Sequence, residues 1–170
     1  MEVINFFGGP GSGKSTAAAG LFHLLKKKKF NVELVTEVAK DLVYEEAHHA
    51  LSQQNYIFAN QEYRLSRIAN KVDVAITDSP LLLSTFYVKD TYPKSFKQLC
   101  VDLFNGYNNI NYFVKRNFEY SPLGRQQTVE QAEEIDKRII KFLKTEGFDF
   151  EIITAGDDVP DIIYSKLYKW

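Results

Sequence analysis

The residues with the clearest chemistry lie in the run GGPGSGKST, residues 8–16. Gly8, Gly13, Lys14 and Ser15 satisfy the spacing G-x-x-x-x-G-K-[ST], with a short apolar run before it and an alanine-rich helical stretch after it. Gly8, Gly9, Gly11 and Gly13 carry no β-carbon, so the loop can wrap an anion and turn its backbone N–H groups inward. Ser12 and Thr16 complete the cradle. Lys14 brings a point charge to the β and γ phosphates of a nucleoside triphosphate, and the Ser15 hydroxyl is placed to ligate Mg²⁺.

Two carboxylates follow. Glu37 closes the run VELVTE, and Asp78 closes the run VDVAITD. An acid at a strand end beside a phosphate cradle can hold Mg²⁺, directly or through water, or accept a proton from an attacking hydroxyl. Further on, Arg116 and Arg125 bracket a turn-rich segment containing Tyr120, Pro122 and Gly124. Such a segment suits a lid over about residues 116–127 that neutralises charge on a moving phosphoryl group and excludes water. Excluding water favours transfer to an acceptor over hydrolysis.

These groups need a frame, and the apolar pattern supplies one. Residues 3–7, 32–37, 72–77, 110–115 and 150–155 read as five short strands separated by segments of helical spacing. That alternation implies parallel strands covered by helices on both faces, an α/β fold with its ligands at the carboxyl ends of the strands. One helix is expected from Ser15 to about Lys28. Another follows Thr128, with Val129, Ala132, Ile135, Ile139, Phe142 and Leu143 on one stripe and a capping box between Thr128 and Gln131. The lysines at 26–29 read as a solvated helix end.

The chain has 170 residues, enough for one domain with a real core and little room for a second, so residues 1–170 are expected to form a single unit. A net charge of −1 gives no bulk reason to expect nucleic acid or an anionic membrane as partner. A single cysteine, Cys100, excludes an internal disulfide and fits a reducing, cytoplasmic compartment. The N-terminal run lacks the basic flank and length of a signal peptide, and no stretch approaches the ~20 apolar residues of a membrane span. His23, His48 and His49 have no spacing that makes a metal pair.

Together GGPGSGKST, TEVAKDLV, TDSPLLLS and KRNFEYSPLGRQQ resemble the small P-loop nucleoside and nucleotide kinases, including compact versions common in bacteriophages. The resemblance covers nearly the whole chain. It implies a three-layer sandwich on a five-stranded parallel sheet of order 2-3-1-4-5, ATP with Mg²⁺ as donor, and an acceptor site beside Glu37 and Asp78. Arg116 and Arg125 would sit on the lid. The loop after the last strand, around Gly156, would lie near the adenine.

Two sub-families compete for the acceptor. Thymidylate kinases have an acid after the second strand and an Asp-Arg pair after the third; this sequence has Glu37 and Asp78 but Ser79 in place of the arginine, leaving Arg64, Arg67 or Lys40 to hold an acceptor phosphate. Deoxynucleoside kinases use a glutamate after the second strand as base and a glutamine on the next helix to read the nucleobase, for which Glu37 and Gln61 are available beside Gln53 and Gln54. Nicotinamide riboside kinases share an acid at both strand ends. The features favour a small nucleoside monophosphate over a nucleoside, then a polynucleotide 5′-end, then water alone. The resemblance leaves room for a homodimer.

Overall fold

The computed structural model describes residues 1–89, 91–117 and 128–168. Five strands, β1 (Glu2–Phe7), β2 (Val32–Val35), β3 (Val74–Thr77), β4 (Asn108–Lys115) and β5 (Glu151–Thr154), form one sheet in the order β2-β3-β1-β4-β5. Every pairing is parallel. Among the described residues eight α-helices connect and flank them: α1 (Lys14–Lys27), α2 (Val38–Tyr44), α3 (His48–Leu51), α4 (Gln54–Ser66), α5 (Ser84–Tyr87), α6 (Lys94–Asn105), α7 (Val129–Thr145) and α8 (Val159–Tyr168). The sheet order and the three layers are those the resemblance implies.

The sheet separates two cores because successive residues of a strand point to opposite faces. On β1, Ile4 and Phe6 join Leu21 and Leu25 of α1 and Ile163 of α8 on one side. Val3 and Phe7 join Phe58 of α4, Phe104 of α6, and Ile139 and Leu143 of α7 on the other. Both faces are covered, as a parallel sheet requires. Asn5 lies between Val3 and Phe7 in this second face, 1% exposed, and its amide donates to the side-chain oxygens of Asn109 and Asn111 on β4.

Strand ends differ from the apolar runs in a consistent way. β2 stops at Val35, not at Glu37, because Thr36 and Glu37 already turn the chain into α2. β3 starts at Val74 rather than 72; before it, Asp73 N–H donates to the Asn31 carbonyl. β4 begins earlier, at Asn108, where Asn109 and Asn111 carry polar amides into the pairing with β1. Thr128 forms the expected capping box with Gln131 at the start of α7. Of the stripe proposed for that helix, Ala132, Ile139 and Leu143 are buried, whereas Val129 in the first turn is exposed. At the end of α1, Lys26 pairs with Glu33 and Lys28 lies over the Tyr164 ring.

The cradle and the charged cluster around it

β1 delivers the chain to the cradle and α1 takes it away. Gly8 and Gly11 have φ of 144° and 71°, and Gly13, the residue before α1, has φ of 97°, conformations that side chains with a β-carbon rarely adopt. A β-carbon on Gly8 would stand 2.5 Å from the Ser12 hydroxyl oxygen. No side chain caps the N-terminus of α1, which leaves its first N–H groups for an anion. Lys14 Nζ folds back across the loop and donates to the carbonyls of Gly8 (2.8 Å) and Gly9 (2.9 Å). Ser12 is fully buried, and its hydroxyl oxygen has no hydrogen-bond partner among the described residues. Thr16 is exposed in the first turn of the helix.

The carboxyl ends of β2 and β3 bring the two acids to this loop. Ser15 Oγ donates to Asp78 Oδ2 at 2.5 Å. Asp78 is 5% exposed, and its other oxygen, Oδ1, is buried without a hydrogen-bond partner among the described residues. Leaving a buried acceptor unmade costs about 1–3 kcal/mol, and more for a charged one, so an oxygen kept this way calls for a ligand. A hydroxyl and a carboxylate are hard oxygen donors that fit Mg²⁺, which takes one or two protein oxygens and completes its shell with phosphate and water. No cluster of three acids, histidines or cysteines able to hold a metal occurs among the described residues.

Glu37 precedes α2 but its side chain makes no capping hydrogen bond. Burial pushes its carboxyl above the usual range, against the pull of Lys14, with Asp78 adding to the rise. Lys14 is displaced the other way: burial lowers it, while Glu37, Asp78 and Asp136 raise it and Arg116 lowers it further. One lysine therefore sits among three carboxylates and an arginine, each within electrostatic reach. Tyr87 of α5 belongs to the same neighbourhood; burial, Glu37 and Asp136 push its phenol up to about 12, against Arg138.

Arg116, one residue past β4, donates from Nη2 to the Pro10 carbonyl and to Asp136 Oδ2, both at 3.1 Å. Arg125 and most of the lid segment lie outside the described residues. Arg64 of α4 reaches the end of β2, donating to the carbonyl of Thr36 (3.2 Å) and pairing with Asp41 at 2.6 Å. Arg67, three residues on, is exposed at the C-terminal cap of α4. Gln61 is buried and braces the turn that carries Glu37: its Oε1 accepts the Val38 N–H and its Nε2 donates to the Thr36 carbonyl. Gln54, also buried, donates to the Ser84 hydroxyl. Gly156 follows β5, beside a shallow groove lined by Asn117, Ala155 and Asp158.

Asp136 is the member of the cluster that the sequence reading passes over. It accepts the Gly9 N–H at 2.5 Å as well as the Arg116 pair. Its signal was present: Ala132, Asp136, Ile139 and Leu143 share one helix face, and a carboxylate on a core-facing stripe needs a partner.

The fold recurs in solved structures. Thymidylate kinase from Ehrlichia chaffeensis superposes with a TM-score of 0.67 at 18% identity, over 98% of each chain. Deoxyadenosine kinase from M. mycoides, with dCMP and dCDP bound, gives 0.58 at 19% identity over 100% of each chain. The same enzyme with dATP gives 0.55 at 18%, over 98% of this chain and 99% of that one. No curated protein is significantly similar in sequence. A family model described as AAA domain matches residues 3–158, which span the phosphate loop, both strand-end acids and all five strands but for the first residue of β1, and the chain belongs to that family.

Proposed function

We propose that the protein is a phosphotransferase that moves the γ-phosphoryl group of ATP to a small nucleotide acceptor, a (deoxy)nucleoside monophosphate. The observation that carries this reading is the Ser15–Asp78 pair at the mouth of the phosphate loop, with Asp78 Oδ1 buried and unsatisfied among the described residues. Likeness in fold to a thymidylate kinase and a deoxyadenosine kinase supports the same class.

In the proposed reaction an acceptor oxygen attacks the γ-phosphorus in line, the bond to the β,γ-bridging oxygen breaks, and ADP leaves with that electron pair. The loop N–H groups of Gly11, Ser12, Gly13, Lys14, Ser15 and Thr16 hold the donor phosphates. Lys14 leaves its own loop carbonyls and places its charge on the β and γ oxygens. Ser15 and Asp78 would hold Mg²⁺, which would supply positive charge against the phosphate oxygens. Arg116 and Arg125 stabilise charge on the moving group, and Gly156 lies beside the adenine.

Arg64 supports the monophosphate reading: its guanidinium reaches the end of β2, bonding the Thr36 carbonyl and pairing with Asp41, and an acceptor phosphate bound there would need a cation. Such an acceptor is already ionised at neutral pH, so Glu37 would orient rather than deprotonate it, with Gln61 fixing its turn. One observation favours a second reading, a nucleoside 5′-hydroxyl acceptor. The desolvated Glu37, with its raised carboxyl, suits a base better than a spectator.

A coupled ADP-release screen with Mg·ATP against nucleosides, their monophosphates, nicotinamide riboside and a 5′-hydroxyl oligonucleotide separates these. Monophosphate-dependent turnover supports the first reading and nucleoside-dependent turnover the second. ADP release that no acceptor accelerates would overturn both.

A further inference from the structure

Helix α7 reaches the cradle through one side chain. Both oxygens of Asp136 are engaged: Oδ1 accepts the Gly9 N–H, and Oδ2 accepts Arg116 Nη2, which also donates to the Pro10 carbonyl. Carboxylate, guanidinium and the Gly9–Pro10 backbone thus form a closed ring that joins the front of the phosphate loop, the end of β4 and the second turn of α7. The pair is largely withdrawn from water, with side chains 17% and 11% exposed for Asp136 and Arg116. There is no slack behind it. A β-carbon on Gly9 would stand 2.7 Å from the Ala132 carbonyl and 2.8 Å from Asp136 Oδ1, so only glycine lets helix and loop approach this closely.

We infer that Asp136 is a positioning residue: its carboxylate holds the Arg116 guanidinium and the Gly9–Pro10 peptide in the arrangement that receives the triphosphate. A guanidinium on a flexible stem must otherwise be ordered by the ligand itself, and that ordering subtracts from binding and from charge stabilisation during transfer. Fixing it beforehand against a carboxylate holds its charge at the front of the phosphate loop. The same ring ties α7 and the end of β4 to the loop. For turnover this inference rests on the phosphotransferase reading. For triphosphate binding it stands on the loop alone.

The variant Asp136→Asn separates the two arms, because asparagine keeps an oxygen for the Gly9 N–H and turns an NH₂ group against Arg116. Calorimetry with Mg·ATP and the transfer assay are read for wild type, Asp136→Asn, Arg116→Ala and the double variant. Asp136→Asn is expected to weaken Mg·ATP binding about tenfold and to lower kcat by at least as much. Adding it to Arg116→Ala should change neither further, since the group it serves is already gone. Wild-type values in Asp136→Asn, or losses that multiply with those of Arg116→Ala, would overturn the assignment. Should Asp136→Asn not fold, Arg116→Lys makes the same test: an ammonium does not span Asp136 and Pro10 as the planar fork does, and wild-type binding there would equally sink the idea. If wild type transfers phosphoryl to no acceptor, the functional reading falls while the calorimetric cycle still decides this one.

Discussion

Lys14 makes the simplest residue-scale case. It is the cation among Glu37, Asp78 and Asp136, and in this structure it satisfies itself on its own loop. Lys14→Ala removes the charge that the triphosphate needs but no part of the core, so phosphoryl transfer should fall by at least 10³-fold while circular dichroism stays native. Near-wild-type turnover would place the site elsewhere. Glu37 gives a pH test whose sign follows from its raised carboxyl. The folded state holds the proton above 4.5, where the unfolded chain has released it, so this group lowers stability as pH rises through the window from 4.5 up to its folded value. Urea midpoints of wild type and Glu37→Gln should therefore converge below that window and separate above it, with the glutamine variant the more stable. With a hydroxyl acceptor, the acid limb of kcat/KM should lie above 4.5 in wild type and vanish in Glu37→Gln, together with a 10²–10⁴-fold loss of rate. A limb unchanged in the variant would remove Glu37 from the proton path.

At the scale of elements, the capping box of α7 can be weighed by itself. Thr128 Oγ1 accepts the Gln131 N–H, and Gln131 Oε1 accepts the Thr128 N–H. Thr128→Ala should cost about 1 kcal/mol, or about 2–4 °C in melting temperature for a chain this size, with transfer retained because Asp136 lies two turns inside the helix. A loss of activity larger than that of stability would mean that fraying at Thr128 reaches the Gly9 contact. This helix also shows what sequence can and cannot carry. Its cap was legible because Thr and Gln three apart are a local signal, and its burial was legible through Ala132, Ile139 and Leu143. For Asp136 the helix face was legible but the partners were not, since Gly9 and Arg116 are 127 and 20 residues away and only tertiary packing brings them together. The same holds for Gln61. Its type suggested a nucleobase reader, whereas its position beneath the β2–α2 turn gives it Val38 and Thr36 as partners. The glycine turn between β1 and α1 was legible because its residues are contiguous.

For the whole molecule, the consequence of the proposed function is that a bound Mg·nucleotide would complete the structure. The cluster places Lys14 and Arg116 among three carboxylates, leaves Asp78 Oδ1 without a partner among the described residues, and leaves the α1 N-terminus uncapped. A Mg·nucleotide bound to the native state alone satisfies several of these groups at once and shifts unfolding by mass action. At a hundredfold excess over Kd the gain is about 2.7 kcal/mol, which for a chain of this length is a rise of about 5–11 °C in melting temperature. The metal has its own share of that shift. ATP with excess chelator should raise the midpoint less than Mg·ATP, because without the cation Asp78 faces the phosphates as a bare carboxylate. Asp78→Asn should bring the two conditions together, while Lys14→Ala should remove the shift in both. Thermal unfolding of the three proteins with and without Mg²⁺ checks this. Equal shifts for ATP and Mg·ATP in wild type would mean that Asp78 binds no metal and that its buried oxygen serves the fold instead.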